Sequence, residues 1–207
     1  LLESELFGHV RGAFTGAVRR HIGCFERADT GTLVLDEIAS ASSAVQEKIL
    51  RVIEYGEFQR VGGTETLEVD VRIVAASNVD LPGLAAEGEF RADLLDRLAF
   101  DVVTLPPMRA RPGDIIPLAL GFGLEITREL GRQVFPGFTP EAEEQLMAYD
   151  WPGNVRELKN VVERSLYRTP PDEPVDELVF DPFESPWRPG RRLTARPEEA
   201  EFADASP

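Results

Sequence analysis

Asp36 and Glu37 end a short apolar run, Gly31-Thr32-Leu33-Val34-Leu35. A run that short and that apolar predicts a strand buried on both faces of a parallel sheet. Two carboxylates at its C-terminal end lie where open α/β sheets bind ligands. One acid there can hold Mg²⁺ on a nucleotide, and a second can polarise an attacking water. On these residues alone, a strand that merely stops in a polar turn is the competing reading. A second apolar run, Val71 to Ala76, ends in Ser77-Asn78. These two would lie beside the acids at the same sheet edge. An Asn so placed can hydrogen-bond a phosphate oxygen or the attacking water, whereas a plain turn Asn does neither.

Three arginines stand out next. Phe90 to Leu98 reads as a helix with Arg91 and Arg97 six residues apart. Local pairing with Asp93 and Asp96 would contribute only about 0.3–0.5 kcal/mol each. Arg156 opens a helical stripe made of Val155, Leu158, Val161, Val162 and Leu166. A helix N-terminus is a poor place for a cation, because the macrodipole disfavours it there. A position that breaks a local rule in this way is typical of function, and Glu157 beside it offsets part of the conflict.

Gly12-Ala13-Phe14-Thr15-Gly16-Ala17 carries a different chemistry. Its two glycines permit a tight, mobile turn. Phe14 is then held out at a loop tip. Burial is the default for a Phe, and an exposed aromatic on a glycine-hinged loop is a partner-contact candidate. His9 and His21 flank the loop, and the lone Cys24 reads as a small packing residue.

The elements that must position these groups follow from pattern. Leu1 to Phe7 reads as the end of an amphipathic helix stopped by Gly8. Val45, Ile49, Val52 and Ile53 recur at helical spacing from a start at Ser40 to Ser43, and Gly56 ends that helix. Phe58 to Val61 and Leu67 to Val69 flank Gly62-Gly63-Thr64-Glu65-Thr66, a hairpin pattern. Phe100 to Leu105 reads as a last apolar strand. Pro106-Pro107 then marks a boundary. Beyond it come a helix over 116–130, a second over 139–149 with Thr139 capping and Pro140 at its first position, a turn at Trp151 to Asn154, and the stripe from Val155. From Thr169 onward Pro and acids dominate. Leu178 to Phe183 is the one piece expected to pack back, and the acidic run at Glu198 to Glu201 reads as solvated.

Bulk properties narrow the classes. A net charge of −15 argues against a nonspecific DNA-coating protein. One cysteine rules out an internal disulfide framework and fits a reducing cytoplasm. Two histidines with that cysteine are too few for a Cys/His structural zinc site. No apolar run approaches the ~20 residues of a membrane helix.

The GAFTGA sequence at Gly12 to Ala17 resembles the signature loop of bacterial enhancer-binding proteins, the AAA+ activators of sigma-54 RNA polymerase. Glu3-Ser4-Glu5-Leu6-Phe7-Gly8-His9 is similar to the segment before that loop. The resemblance implies an α/β fold: an AAA+ P-loop NTPase-type parallel sheet over residues 1–107, then a small all-α lid over 108–168 and a tail or linker over 169–207. It implies that Gly12, Ala13, Phe14, Thr15, Gly16 and Ala17 contact sigma-54, and that Asp36 and Glu37 are Walker B acids serving ATP and Mg. Ser77-Asn78 resembles sensor I, usually Thr-Asn. FRxDLxxRL, here from Phe90 to Leu98, resembles the arginine-finger helix, which acts across subunits and therefore implies a homo-oligomer, expected as a hexameric ring. Met108 to Ile115 resembles the family's LRxRxxDI element with Met for Leu. WPGNVREL resembles sensor II and gives Arg156 a nucleotide contact. Glu26 falls in the region that relays nucleotide state to the loop, and the 58–69 hairpin resembles a second loop that moves with the first. ERADTGTLVLDEI, VQEKILRVIEYGEFQRVGG, FPGF and FDPF resemble one branch of the family, whose members lack a receiver domain and are held off by a separate repressor protein.

A P-loop needs G-x-x-x-x-G-K-[ST], and residues 1–207 contain no Gly-Lys dipeptide. The chain begins inside a helix pattern at Leu1. The family pattern places the P-loop upstream of Leu1 and a DNA-binding helix-turn-helix beyond the tail, so this stretch alone is expected to hydrolyse no ATP. The alternative is a non-catalytic sigma-54-interaction module. A general AAA+ unfoldase is disfavoured by the GAFTGA loop.

Overall fold

A computed structural model describes residues 2–183; the expected solvated run at Glu198 to Glu201 lies outside them. The chain divides into two compact units, residues 1–104 and 105–207.

In the first unit, α1 (Leu2–Phe7) stops at Gly8, whose φ of +72° suits glycine. A loop follows, then α2 (Cys24–Arg27), β1 (Thr32–Leu35), and a 3₁₀ turn over Ile38–Ser40. α3 (Ser43–Tyr55) ends at Gly56, left-handed at φ +70°, with its N–H on the Val52 carbonyl. β2 (Glu57–Gln59) and β3 (Thr66–Glu68) pair antiparallel as the hairpin pattern predicts. β4 (Arg72–Ala75) runs parallel to β1, with Leu35 opposite Ala75. α4 (Leu81–Ala86) and α5 (Ala92–Leu98) complete the unit. Its core gathers Leu6, Leu35, Ile38, Val45, Ile49 and Leu94 with four phenylalanines, Phe7, Phe25, Phe58 and Phe90. Phe7 stacks on Phe25 at 5.2 Å between ring centres, and Phe58 leans on both at 5.8 and 6.0 Å. A fully buried Phe contributes about 1.5–3 kcal/mol. This cluster therefore fixes α1 and α2, from which the loop springs, to the base of the hairpin.

Two strand expectations change. β1 was expected to be covered on both faces, but Val34 is 62% exposed and its partner Val74 43%. Among the described residues only the Leu35 side of this two-stranded sheet is packed. Phe100 to Leu105 forms no strand. Phe100 is 97% exposed, and no described backbone pairs with the segment. An apolar alternation becomes a strand only where a neighbour supplies the ladder.

In the second unit, α6 (Ile115–Glu129), α7 (Pro140–Ala148) and α8 (Asn154–Arg168) surround Trp151, Leu146, Leu158, Val161 and Ile126. Thr139 caps α7 by accepting from the Ala142 N–H at 3.2 Å. The Trp151 indole N–H donates to the Leu146 carbonyl at 2.8 Å, so its buried polar end is satisfied. Val175 and Leu178 enter this core and Phe180 packs against it. The Val179 N–H donates to the buried Ser165 hydroxyl.

Candidate functional site

The parallel register of β1 and β4 brings the acids and the Ser77-Asn78 pair to one sheet edge, about one strand spacing apart. The ladder continues past the strands: Ala76 N–H donates to Leu35, and Ile38 N–H to Ala76. Asp36, Glu37, Ser77 and Asn78 are all exposed there. Glu37 has a left-handed backbone, φ 51° and ψ 42°. A non-glycine residue in that region is strained, and such strain gathers at functional positions. The turn is held by Asp36 Oδ1, which accepts from the Glu37 N–H at 2.9 Å, and by the Ser40 hydroxyl, which donates to the Glu37 carbonyl at 2.8 Å. The Ser77 hydroxyl closes a local turn, donating to the Val79 carbonyl and accepting its N–H. Ser77 thus shapes the edge with its hydroxyl committed to this turn, and Asn78 follows it, exposed at the same edge as the acids. Among the described residues no group of three or more metal-ligating side chains is gathered. Mg²⁺ on a nucleotide needs only one or two carboxylates with the phosphates, so the donors here fit that use.

Arg91 does not lie in the helix expected for it. It is the N-cap of α5, in extended conformation. Its guanidinium forks onto Asp93, at 3.0 and 2.7 Å, and this bond raises the arginine pKa and lowers that of the aspartate. Its backbone N–H donates to Gln46 Oε1 at 2.9 Å. Arg97 lies on α5 and meets Glu54 of α3 at 3.0 and 3.1 Å, rather than Asp93 or Asp96. Helix geometry explains the change: Asp93 occupies the Arg91 fork, and Glu54 faces Arg97 from the packed neighbour.

The Gly12–Ala17 stretch is a closed turn. Gly12 N–H donates to Ala17 and Ala17 N–H to Phe14, with Gly12 at φ +83° and Gly16 at +101°. At its neck His9 and His21 exchange two backbone bonds, 3.1 and 3.0 Å. Their rings stack at 5.5 Å, and Phe14 sets its edge to His9 at 4.9 Å. Phe14 is 40% exposed, leaning on the neck and not projecting freely as expected. The hairpin is tied to the same neck: Val10 N–H donates to Val61, and Val61 N–H to Gly8.

Glu26 and Arg60 join these parts. Arg60 donates to both Glu26 oxygens at 2.8–3.1 Å and to Glu65 at 3.0 Å, while Arg20 adds a bond to Glu26 at 2.9 Å. Arg60 is the one charged residue among the buried side chains described. Burial works against the Glu26 carboxylate, yet the hydrogen bonds and charge of Arg60, with Arg20, hold its pKa below the ordinary 4.5. The family resemblance named Glu26, but sequence reasoning missed Arg60, Gln46 and Glu54. Gln46 had a signal: it sits three and seven residues before Ile49 and Ile53, on the apolar face.

In the second unit Arg156 is the third residue of α8 and exposed. Glu157 caps the helix, accepting from the Gly153 N–H at 2.8 Å and from the Tyr149 hydroxyl at 3.3 Å. A carboxylate at that end offsets the unfavourable arginine.

Comparison with known proteins gives the family and the fold. The family described as the sigma-54 interaction domain matches residues 1–104, and the AAA+ ATPase lid domain matches residues 109–178. The chain is 62% identical over 184 residues to the Psp operon transcriptional activator of Escherichia coli K12, covering 88% of this chain and 57% of the relative. It is 51% identical over 166 residues to the nitrogen fixation protein AnfA of Azotobacter vinelandii, covering 80% of this chain and 31% of the relative. Crystal structures of NtrX from Brucella abortus superpose on 84% of this chain at 40% identity, with TM-scores of 0.77 for the ADP complex and 0.76 for the ATP complex, and the match spans 38% of NtrX. The chain thus spans a third to just over half of these relatives. Among the described residues no helix is long and apolar enough to cross a membrane.

Proposed function

The chain belongs to the family of sigma-54-dependent AAA+ transcriptional activators, and from that premise we propose that it is the mechanochemical part of an ATP-driven remodeller of the sigma-54 RNA polymerase closed promoter complex. The observation that supports this most is the β1–β4 register, which sets two carboxylates and an Asn side by side at a parallel sheet edge. When bound, Mg-ATP supplies the phosphoryl bond whose cleavage drives the cycle. Asp36 holds the metal, Glu37 orients water, and Asn78 responds to the terminal phosphate. Ser77 fixes the turn that carries Asn78. Arg91 and Arg97 serve the neighbouring subunit in a ring, read as hexameric, and Arg156 is assigned to the nucleotide by its WPGNVREL match. Glu26 and Arg60 connect the segment before β1 with the hairpin, whose Val61 is bonded to Gly8 and Val10 at the GAFTGA neck; in this proposal that link serves as the relay to Phe14 and Thr15.

In this proposal the cradle for the phosphates comes from sequence outside residues 1–207, which contain no Gly-Lys pair. DNA is reached through a further domain, a separate repressor holds the activator off, as in the phage-shock branch, and the protein works in the cytoplasm. A non-catalytic sigma-54-binding module is the second reading. It is favoured by a loop whose neck, hairpin brace and tip are complete within the described residues. ATP turnover against protein concentration, in the protein with its natural flanking sequence, separates the two. Specific activity should rise with concentration and be lost in Arg91→Ala and in Arg97→Ala. No turnover at any concentration in folded protein would refute the catalytic reading.

A further inference from the structure

Gln46 is 2% exposed in the first turn of α3, in a helix whose Val45, Ile49 and Leu50 are buried. A buried amide in an apolar cluster gives up rotamer freedom that an aliphatic residue would keep in larger part. Both ends of this one are occupied. Nε2 donates to the Ala41 carbonyl at 2.8 Å, and Oε1 accepts the Arg91 N–H at 2.9 Å. Ala41 directly follows the 3₁₀ turn whose first carbonyl, that of Glu37, is bonded by Ser40. Arg91 is fixed on its other side as well, because its carbonyl accepts from Leu95. The backbone of Arg91 is therefore pinned, while its side chain, 36% exposed on Asp93, is free to change partner.

We propose that Gln46 is a positioning residue for Arg91: one buried amide that ties the turn carrying the acids of a subunit to the arginine that the subunit lends to its neighbour. The proposal rests on the reading of Arg91 as an arginine finger. Glu37 serves the nucleotide of its own subunit, and Arg91 serves the next one. A shift of the turn after Glu37 moves Ala41, and Gln46 passes that movement to the pivot of Arg91. Consecutive sites in a ring are thereby linked through side chains of this unit, with no contact needed between the two nucleotides. Asp93 contributes differently: it parks the guanidinium and leaves the pivot untouched.

The test uses the protein with its natural flanking sequence. Gln46→Met keeps length and packing but removes both hydrogen bonds. ATP affinity should stay within about twofold, while kcat falls by about 10²-fold, the effect of a misplacement near 1 Å. Mixing decides the route. Glu37→Ala subunits lack the acid but carry a correctly held Arg91. Added to Gln46→Met subunits, they should restore turnover to several times the sum of the separate activities, as they should with Arg91→Ala subunits. Wild-type kcat in Gln46→Met would overturn the proposal. So would a loss that Glu37→Ala subunits fail to restore while they do restore Arg91→Ala. If neither is restored, the arginine-finger reading falls and takes the proposal with it. Gln46→Leu, of a different shape, serves in the same mixtures if the Met variant does not fold.

Discussion

Replacing Glu26 by Ala would strand Arg60. That side chain is 4% exposed, and its guanidinium makes three contacts of 2.8–3.1 Å to Glu26. Its remaining partner, Glu65, is 74% exposed and offers little. Removing one partner of a buried pair costs about 3–5 kcal/mol. Glu26 is itself 25% exposed, so water reaches part of the vacated place, and the expected loss is about 2–3 kcal/mol. For a chain of this size that lowers Tm by roughly 4–12 °C. The assay is thermal and urea unfolding of the wild type, Glu26→Ala, Arg60→Met and the double variant. The double variant should be less damaged than the two losses added, by about 1.5 kcal/mol or more. A Glu26→Ala loss below about 1 kcal/mol, or coupling below about 0.5 kcal/mol, would refute the buried-pair reasoning. The pH dependence follows from the lowered pKa of Glu26. Folding favours its charged form, so this stability is fully present above the ordinary carboxylate value of 4.5 and is lost as pH falls through the lower folded value. The difference between wild type and Glu26→Ala should be flat near neutral pH and shrink on acidification below that value.

Phe14→Ala should spare ATP turnover and abolish promoter opening in the protein with its flanking sequence; retained opening would remove Phe14 from the contact. Gly62→Ala meets two obstacles, a φ of +72° and a new methyl 2.7 Å from Ala13 Cβ. It should lower stability by about 1 kcal/mol or more and weaken sigma-54 binding. Gly88→Ala, at φ +79° with open space around it, should carry the strain alone and leave binding intact; equal binding losses in the two would show that the hairpin does not brace the loop.

Much of the fold was legible because its signals are local. The stripe of Val45, Ile49 and Val52 gave α3, Gly56 gave its end, Thr139-Pro140 gave the start of α7, and Gly62-Gly63 gave the hairpin. The edge carrying Asp36, Glu37 and Asn78 was legible too, since a parallel pair aligns strand ends. What escaped was nonlocal. Arg60 and Glu26 are 34 residues apart, and Arg97 and Glu54 are 43 apart, so no spacing rule joins them. Phe100 to Leu105 had the composition of a strand, but pairing belongs to two segments and cannot be read from one.

The neck at His9 and His21 makes the loop a cassette. Residues 10–20 form a ring sealed by its own bridge, tied to the rest of the unit through Val10 on Val61 and Arg20 on Glu26, so the freedom to vary lies at its tip. Lengthening the ring is cheap, since doubling a flexible loop adds only about 0.6 kcal/mol of closure entropy. The seal itself tolerates nothing: a methyl on Gly23 would strike the backbone of Leu6 to Gly8, and one on Gly8 the carbonyl of His21. A change in what the loop touches is therefore made at the ring's tip, not at the two glycines of its mouth.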